Sequence, residues 1–242
     1  MLIKVFLFIW SENVIMQESH LLKFPFKTLS KRTIVKKLEK NDLYKISLIS
    51  MANNATGHLI YILDIFIIGI LISNETVIAS YKVATIIPNA LIFIPSSLMV
   101  YLYPYFAEKN CNKIWVRENY FKIIKYFGVF NIFLSGILII LAPFIIKLLF
   151  GTQYLDAVLS FRILTLGYLI SATFRKVSGN LLVTQRKLKF NFLLGIFEGI
   201  VNLIGNVVLV SLYGSIGAAI ASLIVVILSS ILSVRYFVKV VS

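Results

Sequence analysis

The stretch NLIGNVVLVSLYGSIGAAIAS, residues 202–222, contains two apolar helical runs joined by an uncharged turn that includes glycine. Asn202 and Asn206 are four residues apart, so they share one face of the first helix. A polar side chain in hydrocarbon needs an internal partner because no water is available to it there. We therefore expect this asparagine pair to point into protein or into a cavity.

The composition predicts a polytopic membrane protein. The 242 residues are 59% hydrophobic with a mean hydropathy of +0.92, well above the roughly 45–50% apolar share of soluble domains. Cys111 is the only cysteine, which excludes a disulfide framework within the chain. His20 and His58 are too far apart to suggest a zinc site, and no cofactor is predicted.

Six apolar runs are long enough to cross the bilayer as helices, which takes about 20 residues each. The runs cover residues 46–73, 80–106, 123–148, 157–184, 188–212 and 214–238. The predicted fold is an all-α integral membrane bundle of six helices over residues 46–242. The second run contains Pro88, Pro95 and Pro104, and we expect these prolines to bend or break its helix.

The net charge of +14 is explained by membrane topology better than by nucleic-acid binding. Lysines and arginines cluster at 23–45, 109–125, 175–189 and 235–239, which are alternate boundaries of the six runs. The intervening turns carry almost no positive charge. The positive-inside rule then places both termini in the cytoplasm of a multi-pass protein.

Residues 1–45 are predicted to form a cytoplasmic or interfacial segment. Basic and apolar positions alternate between residues 23 and 45, which suits a helix on an anionic lipid surface. A solvated linker is the alternative, and the sequence leaves both open.

The first span carries an unusual number of polar side chains. Asn54, His58, Tyr61 and Asp64 follow one another at spacings of four, three and three, so they share a helix face. A carboxylate inside the bilayer costs about 2.5 to 3.5 kcal/mol and normally faces a cavity or a partner. Asp64 is thus a candidate functional residue, with a structural hydrogen bond between helices as the alternative.

Four basic residues within the spans are candidates for binding an anionic substrate: Arg162, Arg175, Lys176 and Lys82. The arginine fork binds two phosphate oxygens at once. Snorkelling of these long side chains to the membrane interface is the competing interpretation.

Depth in the bilayer brings candidates from three helices to one level. Glu198, Asn202 and Asn206 form a single polar face. Counted from the outer helix ends at 1.5 Å per residue, Asp64, Asn206, Asn202 and Ser222 lie about 9 to 15 Å deep. Oxygen ligands suit a Na⁺ or proton site, and an ion-free cluster of hydrogen bonds is the alternative.

Three segments resemble the polysaccharide flippases of the Wzx type, within the multidrug/oligosaccharidyl-lipid/polysaccharide exporter superfamily. They are LDIFIIGILISNETVIASYKVATIIPNALIFIPSSLMVYLYP from residue 63, APFIIKLLFGTQYLDAVLSFRILTLG from residue 142, and the opening stretch. In order, they are similar to helices seven to twelve of that family.

The resemblance implies one six-helix lobe of a two-lobe flippase that moves lipid-diphosphate-linked glycans through a cationic cavity. In related lipid II flippases a Na⁺ site is formed by residues that match Asp64, Asn202, Asn206 and Ser222. Asn206 replaces a carboxylate of those proteins, which lowers the charge of the site.

The expected function is therefore transport of lipid-linked oligosaccharide across the inner (plasma) membrane in O-antigen or polysaccharide export, without enzymatic chemistry. The expected partners are the lipid bilayer, the lipid-linked glycan, and either a missing N-terminal lobe or a second copy, with no nucleic acid. We expect the chain to be a part of a longer or interrupted reading frame. A lobe of a cation-coupled multidrug exporter and a non-transporting membrane scaffold are the alternatives.

Overall fold

The computed structural model describes residues 62–242, and that part of the chain is entirely helical with short connections. The helices are α1 (Ile62–Ile72), α2 (Glu75–Leu91), α3 (Phe93–Glu108), α4 (Lys113–Ile140), α5 (Ala142–Phe150), α6 (Ala157–Ile170), α7 (Lys176–Thr184), α8 (Leu188–Tyr213) and α9 (Ser215–Val241). A 3₁₀ turn covers Thr152–Tyr154, and a π-helical turn, Ser171–Arg175, joins α6 to α7.

Five helical stretches within residues 62–242 are long and apolar enough to cross a membrane. They are Glu75–Glu108, Lys113–Ile140, Ala157–Thr184, Leu188–Tyr213 and Ser215–Val241. The apolar α1 is the described part of the first predicted run. The prediction of an all-α membrane bundle is confirmed, and the chain is a multi-pass membrane protein.

The third predicted run, 123–148, is wrong at both ends. Helix α4 begins at Lys113, where the Asn112 side chain accepts a hydrogen bond from the Trp115 backbone N–H. It ends at Ile140, and α5 begins a new short helix. The break follows from Pro143, which has no N–H to donate to the Ile139 carbonyl one turn earlier.

The second run breaks as its prolines predict. Helix α2 ends at Leu91 and α3 begins at Phe93. Leu91 lies four residues before Pro95, whose ring excludes the carbonyl of that position from an ordinary helical turn. Pro88 and Pro104 remain inside their helices.

Much of the outer surface is apolar, as lipid contact requires. On α4, Ile114, Val129, Ile132 and Ile140 are each more than 60% exposed. Within the described residues the buried apolar side chains instead form three clusters, the third of which includes Ile146 and Phe161. The first cluster includes Met99, Phe106, Tyr120, Leu181 and Phe237, and the second includes Ile68, Tyr81, Val210 and Ala218.

Helix α9 occupies the centre and packs against α8, α6 and the π turn. The α8–α9 connection turns at Gly214, whose φ of +61° is accessible to glycine without strain. A Cβ on Gly217 would overlap the backbone of Leu209, and one on Gly205 would lie 3.3 Å from the Cβ of Ala221. The predicted close approach of small residues between these two helices is therefore present.

The predicted surface segment of residues 1–45 and the polar positions Asn54, His58 and Tyr61 lie outside the described residues. The interpretations given to them stay predictions.

Candidate functional site

A cavity of about 390 Å³ lies among α1, α2, α6, the π turn, α7, α8 and α9. Its charged lining residues fall into two groups, which we call, with their neighbours, the carboxylate end and the guanidinium end. The carboxylate end consists of Asp64, Asn202 and Ser222, together with the adjacent Asn206 and Tyr81. The guanidinium end consists of Arg175, Lys176, Gly179, Asn180, Asn191 and Glu198.

The four side chains predicted to share one depth form a closed ring of hydrogen bonds. Asn206 Nδ2 donates to Asp64 Oδ1 at 2.7 Å and to Asn202 Oδ1 at 2.9 Å. Ser222 Oγ donates to Asp64 Oδ2 at 2.6 Å and accepts from Asn202 Nδ2 at 3.4 Å. The ring joins α1, α8 and α9.

Both asparagines are fully buried, and the ring fixes their orientation. Turning the Asn206 amide over would place its oxygen against the Asp64 carboxylate, where two acceptors repel each other. In the observed orientation Asn206 Oδ1 is buried without a hydrogen-bond partner. Such an unsatisfied acceptor is costly and calls for an explanation.

Tyr81 is the residue that sequence reasoning missed at this end. It is 1% exposed and donates from its hydroxyl to Asp64 Oδ2 at 3.0 Å. The carboxylate thus receives three hydrogen bonds from α2, α8 and α9. Tyr81 is on a different helix from the four members of the ring, so no helical spacing in the sequence connects it with Asp64.

The donor set at the carboxylate end fits a monovalent cation. Asp64, Asn202, Asn206 and Ser222 bring oxygens from three helices into one cluster, and the Asn206 carbonyl oxygen is free to act as a ligand. These are the residues that would hold Na⁺. Among residues 62–242 no group of three His, Cys, Asp or Glu side chains could hold another metal ion.

At the guanidinium end, Arg175 and Glu198 form an ion pair. Arg175 Nε donates to Glu198 Oε1 at 2.6 Å, and the two side chains are 17% and 16% exposed. Glu198 was predicted on the polar face of α8 with the ion-site residues. It lies on that face and lines the cavity, but its carboxylate is bonded to Arg175 and not to the ring around Asp64.

The π turn carries Arg175 to the cavity wall. The N–H of Lys176 bonds to the Ser171 carbonyl five residues back, as in a π-helix. Thr173, inside this turn, accepts a hydrogen bond from Asn131 Nδ2 of α4 at 3.2 Å, and Tyr168 OH donates to Asn131 Oδ1 at 3.2 Å. The turn is therefore anchored on its far side by buried polar contacts.

Lys176 lines the cavity directly beside Arg175. Its ammonium group makes no hydrogen bond or ion pair within the described part of the chain. Two cations and one carboxylate thus lie at this end, which leaves an excess of positive charge.

Arg162 and Lys82, the other predicted anion-binding residues, do not line the cavity. Arg162 Nε donates to the Ile139 carbonyl at 3.1 Å. This is the carbonyl that Pro143 leaves without its helical donor, so Arg162 stabilises the break between α4 and α5. Lys82 is exposed on α2. Neither residue is therefore among the lining residues of the cavity.

One face of α8 supplies much of the lining. Asn191, Gly195, Glu198 and Asn202 follow at spacings of four, three and four. Asn191 was missed, although its position two turns before Glu198 gave a signal. Its Nδ2 donates to the Gly179 carbonyl at 2.7 Å, while its Oδ1 is buried and unpaired.

A family model described as polysaccharide biosynthesis protein matches residues 26–159, which is more than half of the chain. The match includes Asp64 and Tyr81, and the guanidinium end lies C-terminal to it. Searches of the curated proteins and of the solved structures each found no match.

Proposed function

Because the chain belongs to the polysaccharide biosynthesis protein family, we propose that it forms one lobe of a flippase for lipid-diphosphate-linked oligosaccharide. The lobe would act in the cytoplasmic membrane during polysaccharide or O-antigen export. A second six-helix lobe, encoded separately or supplied by another copy, would complete the pathway. No covalent bond is made or broken in this task.

The observation that carries the proposal is the adjacent pair of basic side chains at the guanidinium end of the cavity between membrane-spanning helices. Arg175 and Lys176 line one end of the cavity beside Glu198, while Asp64, the other carboxylate of the described lining, belongs to the ring at the carboxylate end. A cation within a membrane bundle is costly and normally marks a substrate or ion pathway. A diphosphate headgroup offers the anionic oxygens that a guanidinium and an ammonium bind well.

A cation-coupled multidrug exporter fits the same cavity less well. Such a site needs a carboxylate that is free to meet a cationic drug. In the described part of the cavity, Asp64 already accepts three hydrogen bonds and Glu198 is paired with Arg175. Both acidic groups are therefore engaged.

We also propose that transport is coupled to Na⁺ or to protons at the carboxylate end. The support is the oxygen cluster around Asp64 and the unpaired Asn206 Oδ1. When bound, the ion would supply the charge that draws the three helices together around this point.

Complementation of cells that lack a flippase for their surface glycan tests the proposal. The chain is expressed alone and together with the N-terminal lobe of a related flippase, and surface glycan is quantified. We expect restoration when the second lobe is present. Replacing both cavity cations, Arg175→Ala with Lys176→Ala, should lower it by about tenfold or more, because two charge-assisted phosphate contacts are lost.

The matched control is Lys122→Ala, which removes an exposed cation of α4 outside the cavity lining. It should restore surface glycan as well as the unmodified chain. Failure to rescue in every combination, with the protein present in the membrane, would favour the scaffold interpretation over transport.

A further inference from the structure

We propose that Glu198 and Gly179 are positioning residues that hold the Arg175 guanidinium on the cavity wall, where it forms a diphosphate seat with Lys176. This inference rests on the proposed function and deepens it. It assigns a positioning role to a carboxylate and a glycine, neither of which has a side-chain donor to offer to phosphate.

The geometry of the ion pair is the first support. Glu198 engages Arg175 through Nε. The two terminal nitrogens of the guanidinium make no hydrogen bond within residues 62–242. Held by its Nε edge, the side chain keeps both terminal amino groups for a ligand, and these are the donors that grip two phosphate oxygens together.

Gly179 is the second support, because it makes room for the guanidinium. A terminal nitrogen of Arg175 lies only 2.5 Å from the position that a Cβ on Gly179 would occupy. A side chain at this position would force the guanidinium group to shift away from its place beside Gly179. Gly179 itself lines the cavity, one turn after Arg175.

Helix α8 fixes both elements at once. Glu198 bonds to Arg175, and Asn191, two turns earlier on the same face, bonds to the Gly179 carbonyl at 2.7 Å. These two contacts tie the end of the π turn and the start of α7 to one rigid helix. A site held on packed helices is better pre-organised than one on a loop.

Two roles of Glu198 can be distinguished by experiment: it is either a simple counter-ion of Arg175 or the residue that positions Arg175. If it merely neutralised Arg175, an incoming phosphate would displace it, and losing its charge would strengthen binding. If it positions Arg175, its oxygen matters more than its charge. A glutamine, which retains an oxygen acceptor, should then preserve the site.

The experiment measures binding of farnesyl diphosphate and of inorganic pyrophosphate to the purified full chain in nanodiscs by titration calorimetry. Glu198→Met retains length without an acceptor, and Gly179→Ala displaces the guanidinium. We expect each to weaken binding by about tenfold, which is the effect of losing one well-aligned charge-assisted bond. Glu198→Gln should bind within about threefold of the unmodified chain.

Gly136→Ala is the control for the glycine change, since a Cβ on Gly136 meets nothing within 4 Å. It should leave the affinity unchanged. Thermal unfolding of every variant separates loss of fold from loss of the site, and Glu198→Gln remains informative if Glu198→Met is unstable.

The outcomes are distinguishable. Tighter binding in both Glu198→Gln and Glu198→Met would overturn the positioning role and make Glu198 a competitor of phosphate. Equal affinity in Glu198→Met, Gly179→Ala and the unmodified chain would overturn the inference while the proposed function stands. Absence of binding by the unmodified chain would overturn the diphosphate seat, whereas the proposed function is decided separately by complementation with the second lobe.

Discussion

The two ends of the cavity satisfy their polar groups in opposite ways. At the carboxylate end, Asp64 accepts three hydrogen bonds and the ring around it closes on itself. At the guanidinium end, one hydrogen bond joins Arg175 to Glu198, and the other side-chain donors of Arg175 and Lys176 have no partner within residues 62–242. Within the described residues, the carboxylate end has a single buried acceptor without a partner, Asn206 Oδ1, whereas the guanidinium end has several donors without one.

This difference indicates that the carboxylate end stabilises the helix bundle, whereas the guanidinium end is suited to binding a ligand. A buried hydrogen-bonded network rigidifies its surroundings, and here the ring joins α1, α8 and α9 while Tyr81 adds a bond from α2. Spare donors at a cavity wall add little to folding but are ready for an anion. We therefore expect changes at the carboxylate end to act mainly on stability and ion response, and changes at the guanidinium end on ligand binding.

The largest effect should come from Asp64→Ala. It leaves the donors of Tyr81, Asn206 and Ser222 without their acceptor, at a cost on the order of 3 kcal/mol in the free energy of unfolding. Denaturant-induced unfolding in detergent measures it. Asp64→Asn keeps one side-chain oxygen as acceptor and should lose clearly less. Equal losses in the two variants would contradict a role for the hydrogen bonds.

Gly217→Ala should destabilise the protein by about 2 kcal/mol, the usual cost of overpacking. Its Cβ would force α9 away from the Leu209 backbone and so pull Ser222 away from Asp64. Farnesyl diphosphate binding should change much less, because the guanidinium end is tied to α8 through other contacts.

Gly199→Ala is the matched control for that change, because a Cβ on Gly199 meets nothing within 4 Å. Alanine favours the helix over glycine by about 0.8 to 1 kcal/mol, so its thermal unfolding temperature should be equal or slightly higher. A loss as large as that of Gly217→Ala would show that the helix contact is not the cause.

Asn206→Asp tests the hypothesis that a cation binds at the carboxylate end. It replaces the amide that donates to Asp64 and Asn202 with a second carboxylate, at a cost of roughly 1 to 2 kcal/mol without Na⁺. A cation between two carboxylates removes their repulsion, so NaCl should raise the unfolding temperature of this variant more than choline chloride does. Identical effects of the two salts would count against a cation at this position.

The smallest effect should be the coupling between Arg175 and Glu198. A double-mutant cycle with Arg175→Met and Glu198→Met should give about 0.6 kcal/mol, the average for polar contacts between membrane helices. Unfolding of the four proteins supplies the cycle. A coupling energy of several kcal/mol would make this end a structural element like the other and remove the contrast.

The members of the ring at the carboxylate end could be predicted from their spacing along the helices. Asn202 and Asn206 share a face by being four residues apart, and rise per residue placed Asp64 and Ser222 at their level. The spans 157–184, 188–212 and 214–238 were found to within three residues at each end, because long apolar runs give a strong signal.

The predictions that failed concern contacts between different helices, which the spacing of residues along one helix does not reveal. Tyr81 donates a hydrogen bond to Asp64 from another helix. Arg162 donates to the Ile139 carbonyl, which Pro143 leaves without its helical donor. The third run was misplaced because apolarity continues through the break at Leu141, so hydropathy alone could not show where the helix ends. The pairing of Glu198 with Arg175 depends on how α8 packs beside the π turn.

The most direct test of the central claim is the location of the bound substrate. A lipid-diphosphate-linked oligosaccharide with a photoreactive group beside its phosphates is irradiated with the full chain in nanodiscs, and the modified peptides are identified by mass spectrometry. We predict labelling of residues 175–183 of the π turn and α7 and of the α8 face around Glu198, lost in Arg175→Ala and competed by farnesyl diphosphate. Labelling confined to the lipid-facing surface of α4, unchanged by the substitution and by the competitor, would contradict the account.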